Sequence, residues 1–389
     1  MPLQPTASAE MIPGSGIREV LDHVLSTGAQ VLRLEIGEPD FITPSHIVQA
    51  AYRAARSGVG YTQSAGDAAL LAALSAKASR LTGHPYEPTQ MVVTQGAAQG
   101  CALALDALVD AGDQGLIPDP AWPNYEMQVL ARGAEPVRYP LRPENGFLPD
   151  PDEMASLLTP RTRAMILNSP SNPTGAVMPP ALVEQIVDLA AHASVTVLSD
   201  EVYEELIFSG QRCNAASYNP QAVVGIYSMS KTYAMTGWRV GYLAAPRWLA
   251  PTLVRLQEAR LSCVSAVSQA AALEAVTGPQ DDVVTMRQAY LHRRDLAVQA
   301  CTDAGLAVVV PQGTFYLMFP LAAGVDSRRA AFSLVDEGVA VAPGTAFGDV
   351  ARSFVRLSLA VNEATLTKAL EILIGWHGRT DGGRSASGQ

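Results

Sequence analysis

The chain has 389 residues, 48% of them hydrophobic and 16% charged, and 27 basic against 37 acidic side chains leave a formal net charge of −10. That composition excludes a disordered chain, and the length suggests about two to three domains. The acidic balance argues against binding to nucleic acid or to an anionic membrane. The four cysteines, Cys101, Cys213, Cys263 and Cys301, form no C-x-x-C pair, and the six histidines form no ligand pair. Neither a redox dithiol nor a metal site is expected, and a reduced, cytoplasmic setting fits best. The opening MPLQPTASAEMIPGSG lacks the basic and apolar regions of a secretory signal. The longest aliphatic run, residues 306–310, is far shorter than a membrane span.

In chain order, the opening stretch up to about residue 15 is rich in Pro, Ser, Ala and Gly and reads as a mobile arm. Near-continuous apolar runs at 91–94, 115–118, 164–167, 195–199, 223–227 and 240–244 read as strands buried on both faces of a sheet. Helical stretches separate several of them: 97–110 stops at Ala111-Gly112, and 180–192 opens on prolines. This alternation predicts an α/β sheet, mostly parallel and flanked by helices. From about residue 281 the texture changes. A long, arginine-studded helix to 304 is followed by strands at 307–310 and 315–319, a helix near 327–337, and strands at 339–342 and 354–359. The closing helix carries the stripe Leu366, Ala369, Leu370, Leu373 and Ile374. This part reads as a smaller α+β domain onto which the N-terminal segment packs. The expected organisation is an arm with part of the small domain at 1–45, a large domain at 46–285, the small domain at 286–376 and a disordered tail at 377–389.

In open α/β sheets, ligands sit at the carboxyl ends of strands, so the residues there are candidates for chemistry. The strand at 91–94 runs into Gln95-Gly96-Ala97-Ala98 and a helix, a turn whose free N–H groups suit a phosphate. The strand at 164–167 runs into NSPSNPTG, a rigid loop that holds Asn172 as a positioned donor. The strand at 195–199 ends in Asp200, a half-desolvated acid that needs a cation or a strong donor. The strand at 223–227 leads to Ser228, Ser230, Lys231 and, eight residues further on, Arg239. A lysine enclosed by apolar sequence has its pKa depressed and acts as an amine nucleophile; serine hydroxyls and an arginine make a phosphate clamp. A nucleophilic amine, an anion site, an acid and a Tyr/Asn pair match the requirements of pyridoxal 5′-phosphate.

Together with IGEPDF, GYTQSAG, VVTQGAAQ, SDEVYEEL, SKTYAMTGWRVGY, PGTAFG and FVRLSLA, these segments resemble the class I aminotransferases of pyridoxal-phosphate fold type I, in the branch of bacterial aspartate aminotransferases. The resemblance runs from about Ile12 to Trp376. It implies that Lys231 is the Schiff-base lysine and acid/base, that Asp200 partners the pyridine nitrogen, and that Tyr203 and Asn172 donate to the ring oxygen. Gly96, Ala97, Ala98, Ser228, Ser230 and Arg239 match the phosphate cup, and Trp122 the aromatic against the ring. Arg356 resembles the arginine that grips the substrate α-carboxylate, with Gly37 near it. Tyr61 resembles a tyrosine that reaches the neighbouring subunit's phosphate, which implies a homodimer with shared sites. The expected reaction moves an amino group between an L-amino acid and a 2-oxo acid by a ping-pong mechanism.

A β-lyase or a cyclopropane-carboxylate synthase on the same fold shares nearly every one of these residues. A nicotinamide dehydrogenase would need G-x-G-x-x-G after a strand, which Gly14-Ser15-Gly16 does not supply. A cofactor-sensing regulator would bring a further DNA-binding module. At the distal end of the substrate, some similar aspartate aminotransferases carry a lysine where this chain has Ala98. That favours neutral or broadly accepted donors, with pyruvate or 2-oxoglutarate as acceptor, while Arg18, or Arg260 from a partner, remains a cation able to reach an acidic side chain.

Overall fold

The computed structural model describes residues 5–28 and 30–385. Its strands, in chain order, are β1 (Leu32–Arg33), β2 (Met91–Thr94), β3 (Gln114–Asp119), β4 (Glu135–Pro140), β5 (Thr162–Asn168), β6 (Thr196–Asp200), β7 (Val223–Ser228), β8 (Gly241–Ala244), β9 (Tyr316–Pro320), β10 (Val339–Ala340), β11 (Ala342–Pro343) and β12 (Phe354–Ser358). Seven of them form one sheet in the order β2-β8-β7-β6-β5-β3-β4. Neighbours from β7 to β4 run parallel, and β8 runs antiparallel to both β7 and β2.

The apolar runs are explained by burial on both faces. Val92, Ile117, Ile166, Leu198, Ile226 and Leu243 enter one core. Their immediate neighbours Val93, Leu116, Met165, Val197, Tyr227 and Tyr242 enter the cores on the other side. Successive side chains point to opposite faces, so both must be apolar when helices cover both. β4, at the edge of this seven-stranded sheet, is the one of its strands that the sequence pattern misses. Its EPVRYP is mostly half-buried or exposed and begins and ends near proline, so it lacks a continuous apolar run.

β9, β11 and β12 form a second, antiparallel sheet in the order β11-β12-β9, and β1 pairs in parallel with β10, placing Leu32 opposite Val339. Residues 307–310 form no strand, contrary to expectation. Val308 and Val309 pack against two different cores, so their apolar character serves packing without a ladder. The expected domain boundary at 285/286 falls inside one continuous helix, Asp281–Asp303. The tail expected to be disordered continues the closing helix, Glu363–Ser385. Its first turn is tied down by a 2.8 Å ion pair from Arg379 to Glu337 and by the Thr380 hydroxyl, which donates to the carbonyl of His377. Residues 386–389 lie outside the described residues. In the arm, Ala7–Glu10 forms one helical turn, and a 12-residue helix, Gly16–Thr27, follows. No described helix is long and apolar enough to cross a membrane.

Strand register sets the position of the site. Asn168 on β5 lies opposite Asp200 on β6, and Ser228 on β7 lies opposite Gly241 on β8, which in turn opposes Thr94 on β2. Five strand ends are thereby aligned along one edge of the sheet.

Candidate active site

A cavity of about 540 Å³ opens at that edge. At its floor the turn after β2 enters the helix Gly96–Leu108, and Ala97 and Ala98 line the cavity. The first N–H groups of a helix have no carbonyl partner within it, so such a turn receives an anion. Gly96 adopts a φ of +77°, and a Cβ there would sit 2.7 Å from the Arg239 guanidinium. Only glycine therefore lets the arginine close against the turn. Amide side chains fix the turn from behind: Gln99 accepts from the Gln95 N–H at 3.0 Å and donates to Gln257 at 2.8 Å, and the buried Gln257 donates to the Val93 carbonyl at 3.0 Å.

Ser228 and Ser230 line the same wall; the Ser228 hydroxyl donates to Ser230 at 2.9 Å and accepts the Ser230 N–H at 3.1 Å. The turn that follows is closed by the Tyr233 N–H to Met229 and the Met235 N–H to Ser230. It presents Lys231, whose amine donates to the Gly37 carbonyl at 2.5 Å. The residue keeps access to the cavity while its amine is enclosed, and burial draws its pKa down to about 8. Glu38 and Asp200 oppose that shift, and Arg356 and Arg239 add to it. IGEPDF packs directly on this turn: Glu38 accepts from the Thr236 hydroxyl, and Asp40 pairs bidentately with Arg293 on the long helix at 2.8 and 2.9 Å.

Asp200 is 6% exposed and lines the cavity. It accepts from the Tyr125 hydroxyl and, at 3.1 Å, from the Val202 N–H, and it has no ion-pair partner among the described residues. Burial lifts its pKa to about 6, with Tyr125 and Val202 holding it down. Tyr125 lies three residues beyond Trp122, whose ring meets it edge-on at 5.5 Å, and Trp122 lines the cavity. The Tyr203 hydroxyl lies 2.8 Å from that of Tyr316.

Arg356 is 2% exposed, and burial lowers its pKa from the ordinary arginine value. Its guanidinium lies 4.3 Å from the Tyr316 ring centroid and 4.8 Å from that of Phe347. One terminal nitrogen donates to the Asn172 side-chain oxygen at 3.1 Å and the other to the Glu35 carbonyl at 2.6 Å, while Nε has no partner. Asn168 holds this corner: its side chain accepts from the Asn172 N–H at 2.7 Å and donates to the Asp200 carbonyl at 3.1 Å. Gly37 is packed so closely against Tyr316 that no Cβ fits there.

Of the residues singled out from sequence, Gly37, Ala97, Ala98, Trp122, Asn172, Asp200, Tyr203, Ser228, Ser230, Lys231, Arg239 and Arg356 all line this one cavity, and Gly96 abuts Arg239. Tyr61 is 96% exposed and stands apart from it. Tyr125, Tyr316 and Asn168 were not singled out. Tyr125 has a sequence signal, the three-residue spacing from Trp122 at the start of the helix Asn124–Ala131. Tyr316 has none, because its contacts join sheets distant in sequence.

The geometry gathers an enclosed amine of lowered pKa, a buried carboxylate and a glycine turn closed by an arginine into one cavity. The sequence profile described as "Aminotransferase class I and II" matches residues 29–373. The aspartate/prephenate aminotransferase of Thermus thermophilus is 37% identical, over 88% of this chain and 90% of that protein. The arginine–pyruvate transaminase of Pseudomonas aeruginosa is also 37% identical, over 88% of each. The structure of Thermus thermophilus aspartate aminotransferase with maleate superimposes with a TM-score of 0.92 at 35% identity, covering 96% of this chain and 99% of that one. The chain belongs to the class I and II aminotransferases, with the fold-type-I architecture of aspartate aminotransferases.

The raised pKa of Asp200 has a defined stability signature. The buried carboxyl favours folding while protonated, below about pH 4, and that contribution is lost as pH rises through about 6. In protein stripped of small molecules, Asp200→Asn should therefore gain stability over the wild type as pH rises from 4 to 7, by up to about 3 kcal/mol, read from denaturant melts at each pH.

Proposed function

We propose that this aminotransferase works with pyridoxal 5′-phosphate held on Lys231, exchanging an amino group between an L-amino acid and a 2-oxo acid. The observation that carries the reading is one cavity lined by an enclosed amine of lowered pKa, a buried carboxylate without a cation, and a glycine turn closed by an arginine. The residues fit the cofactor group by group. The turn 96–98, Ser228, Ser230 and Arg239 supply anion donors for its phosphate. Asp200, lacking a cation of its own, suits a protonated ring nitrogen. Tyr203 and Asn172 supply polar groups for the ring oxygen, and Trp122 a flat face for the ring.

When bound, the cofactor supplies an aldehyde for the lysine and a ring that draws off the electron pair left by a departing α-proton. The protein does the rest. Arg356 holds the substrate α-carboxylate through the unpartnered Nε–H and the remaining terminal N–H groups, with Asn172 and the Glu35 carbonyl fixing its plane. Lys231 Nζ, with a pKa near the working pH, takes the α-proton as a free amine and gives it up again as an ammonium. Tyr125 keeps Asp200 oriented and charged. Any α-amino acid docks its carboxylate in the same way, so neutral donors are accepted, with pyruvate or 2-oxoglutarate as acceptor. The four cysteines are free, consistent with work in the cytoplasm.

Two copies of the chain are proposed to share their sites. Ile42, Tyr52 and Tyr61, 90%, 61% and 96% exposed, present apolar surface close together in sequence, as an interface would. Tyr61 would then reach the phosphate of the partner's site.

Borohydride reduction of the yellow protein should fix the cofactor on Lys231, located by peptide mass spectrometry, and Asp200→Ala should lower turnover by at least about a hundredfold while cofactor remains bound. Attachment to another lysine, or normal turnover, would refute the assignment. Hybrids of a Lys231→Ala copy with a Tyr61→Ala copy should regain one intact site per dimer. Hybrids no more active than their parents would refute the sharing.

A further inference from the structure

We infer that Asp119 is a positioning residue for the substrate α-carboxylate: its side chain latches the PGTAFG loop to the end of β3 and so sets the Phe347 ring against the Arg356 guanidinium. The inference rests on the aminotransferase reading of the cavity and deepens it. PGTAFG, residues 343–348, lines none of the 540 Å³ cavity. Its Phe347 is nevertheless 1% exposed, with the ring centroid 4.8 Å from the guanidinium of Arg356. Hydrogen bonds to Asn172 and to the Glu35 carbonyl fix where two nitrogens of that guanidinium point. The rings of Tyr316 and Phe347 occupy the room into which it would otherwise tilt. A bidentate grip needs the fork in the plane of the carboxylate, so the place of Phe347 bears on how tightly substrate is held.

Asp119 is the last residue of β3, at the same edge of the sheet as Asn168 and Asp200. It is 5% exposed and has no ion-pair partner among the described residues; Arg138, whose charge reaches it, is paired with Glu126 at 2.6 Å. A buried carboxylate without a cation needs hydrogen bonds. Asp119 finds them just past PGTAFG: Oδ2 accepts from the Asp349 N–H at 3.1 Å and Oδ1 from the Val350 N–H at 3.2 Å. Two residues along from Asp119, the Ala121 N–H donates to the Phe347 carbonyl at 2.8 Å. Gly348 lies between these contacts with a φ of +141°, and a Cβ there would collide with the Asp119 carboxylate. The latch therefore requires glycine at this position. At its other end the loop leaves β11, where Ala342 lies opposite Arg356 on β12. Asp119 thus ties the large sheet to the second sheet beside the guanidinium. Trp122, the next residue along, is held separately: its carbonyl accepts from the Tyr125 N–H at 3.1 Å, and its ring meets Tyr125 edge-on. Loss of the carboxylate falls on Arg356 and spares the aromatic face of the cavity.

The test measures KM and kcat of the cofactor-loaded enzyme for alanine and pyruvate in wild type, Asp119→Asn, Asp119→Ala, Gly348→Ala and Phe347→Leu. Asp119→Asn keeps one acceptor oxygen and turns an amide NH2 toward the other N–H. It should raise both KM values roughly tenfold and leave kcat within about threefold. Asp119→Ala should raise KM further, so that asparagine counts as a partial rescue. Gly348→Ala, which forces the latch open with the carboxylate intact, should reproduce the rise. Phe347→Leu should raise KM as well, and adding Asp119→Asn to it should change little more, because both act through one ring. A binding measurement free of turnover accompanies these: the affinity for butyrate, read from its effect on the melting temperature of the loaded enzyme, should weaken roughly tenfold in Asp119→Asn, while the cofactor Kd stays within about threefold. Unchanged KM and butyrate affinity in Asp119→Asn, even with a lowered melting temperature, overturn the assignment, as does a loss that simply adds to that of Phe347→Leu. A wild type that labels at Lys231 and turns over alanine and pyruvate separates that failure from a failure of the aminotransferase reading itself.

Discussion

The site depends on one amine held where its charge is poorly solvated. A lysine in water carries its proton far above neutral pH and is no nucleophile. Enclosure behind the Ser228–Ser230 turn, with two guanidiniums across the cavity, lowers the pKa of Lys231 to about 8. The acids nearby, Glu38 and Asp200, pull the other way, and the balance leaves an amine that both accepts and releases a proton near neutrality. Too many acids would restore an ordinary ammonium, and a dry apolar pocket would remove the proton altogether.

The rest of the fold keeps that balance in place. Asp200, Asn168 and Ser228 are residues of strands whose ladders fix their spacing, so the carboxylate, the corner amide and the serine wall inherit the rigidity of the sheet. The components that come from further away are tied in by specific bonds. IGEPDF reaches the lysine turn through Gly37 and Glu38, and β12 brings Arg356 to Asn172. The Arg356 corner is thus a junction between the second sheet and the NSPSNPTG loop.

Much of this was legible in the sequence, for a physical reason. Strands buried on both faces need unbroken apolar runs, and turns that approach an anion need glycine and hydroxyl groups, so 91–98, 195–203 and 223–239 declare themselves. What was missed lacks such local signatures. β4 is an edge strand of mixed polarity. Residues 307–310 are apolar for packing and not for pairing. The helical extension beyond Trp376 is fixed by Arg379 reaching a distant glutamate. Tyr316 and Tyr125 matter through what they touch, a property of the folded arrangement.

The central claim is the lowered basicity of Lys231, and the most direct measurement is its own titration. In protein stripped of small molecules, the rate of acylation of Lys231 by a small neutral reagent, followed by mass spectrometry from pH 6 to 11, reports the fraction of free amine. The account predicts half-maximal reactivity near pH 8. A Lys231 whose half-maximal reactivity lies near the ordinary lysine value of about 10.4 would contradict it.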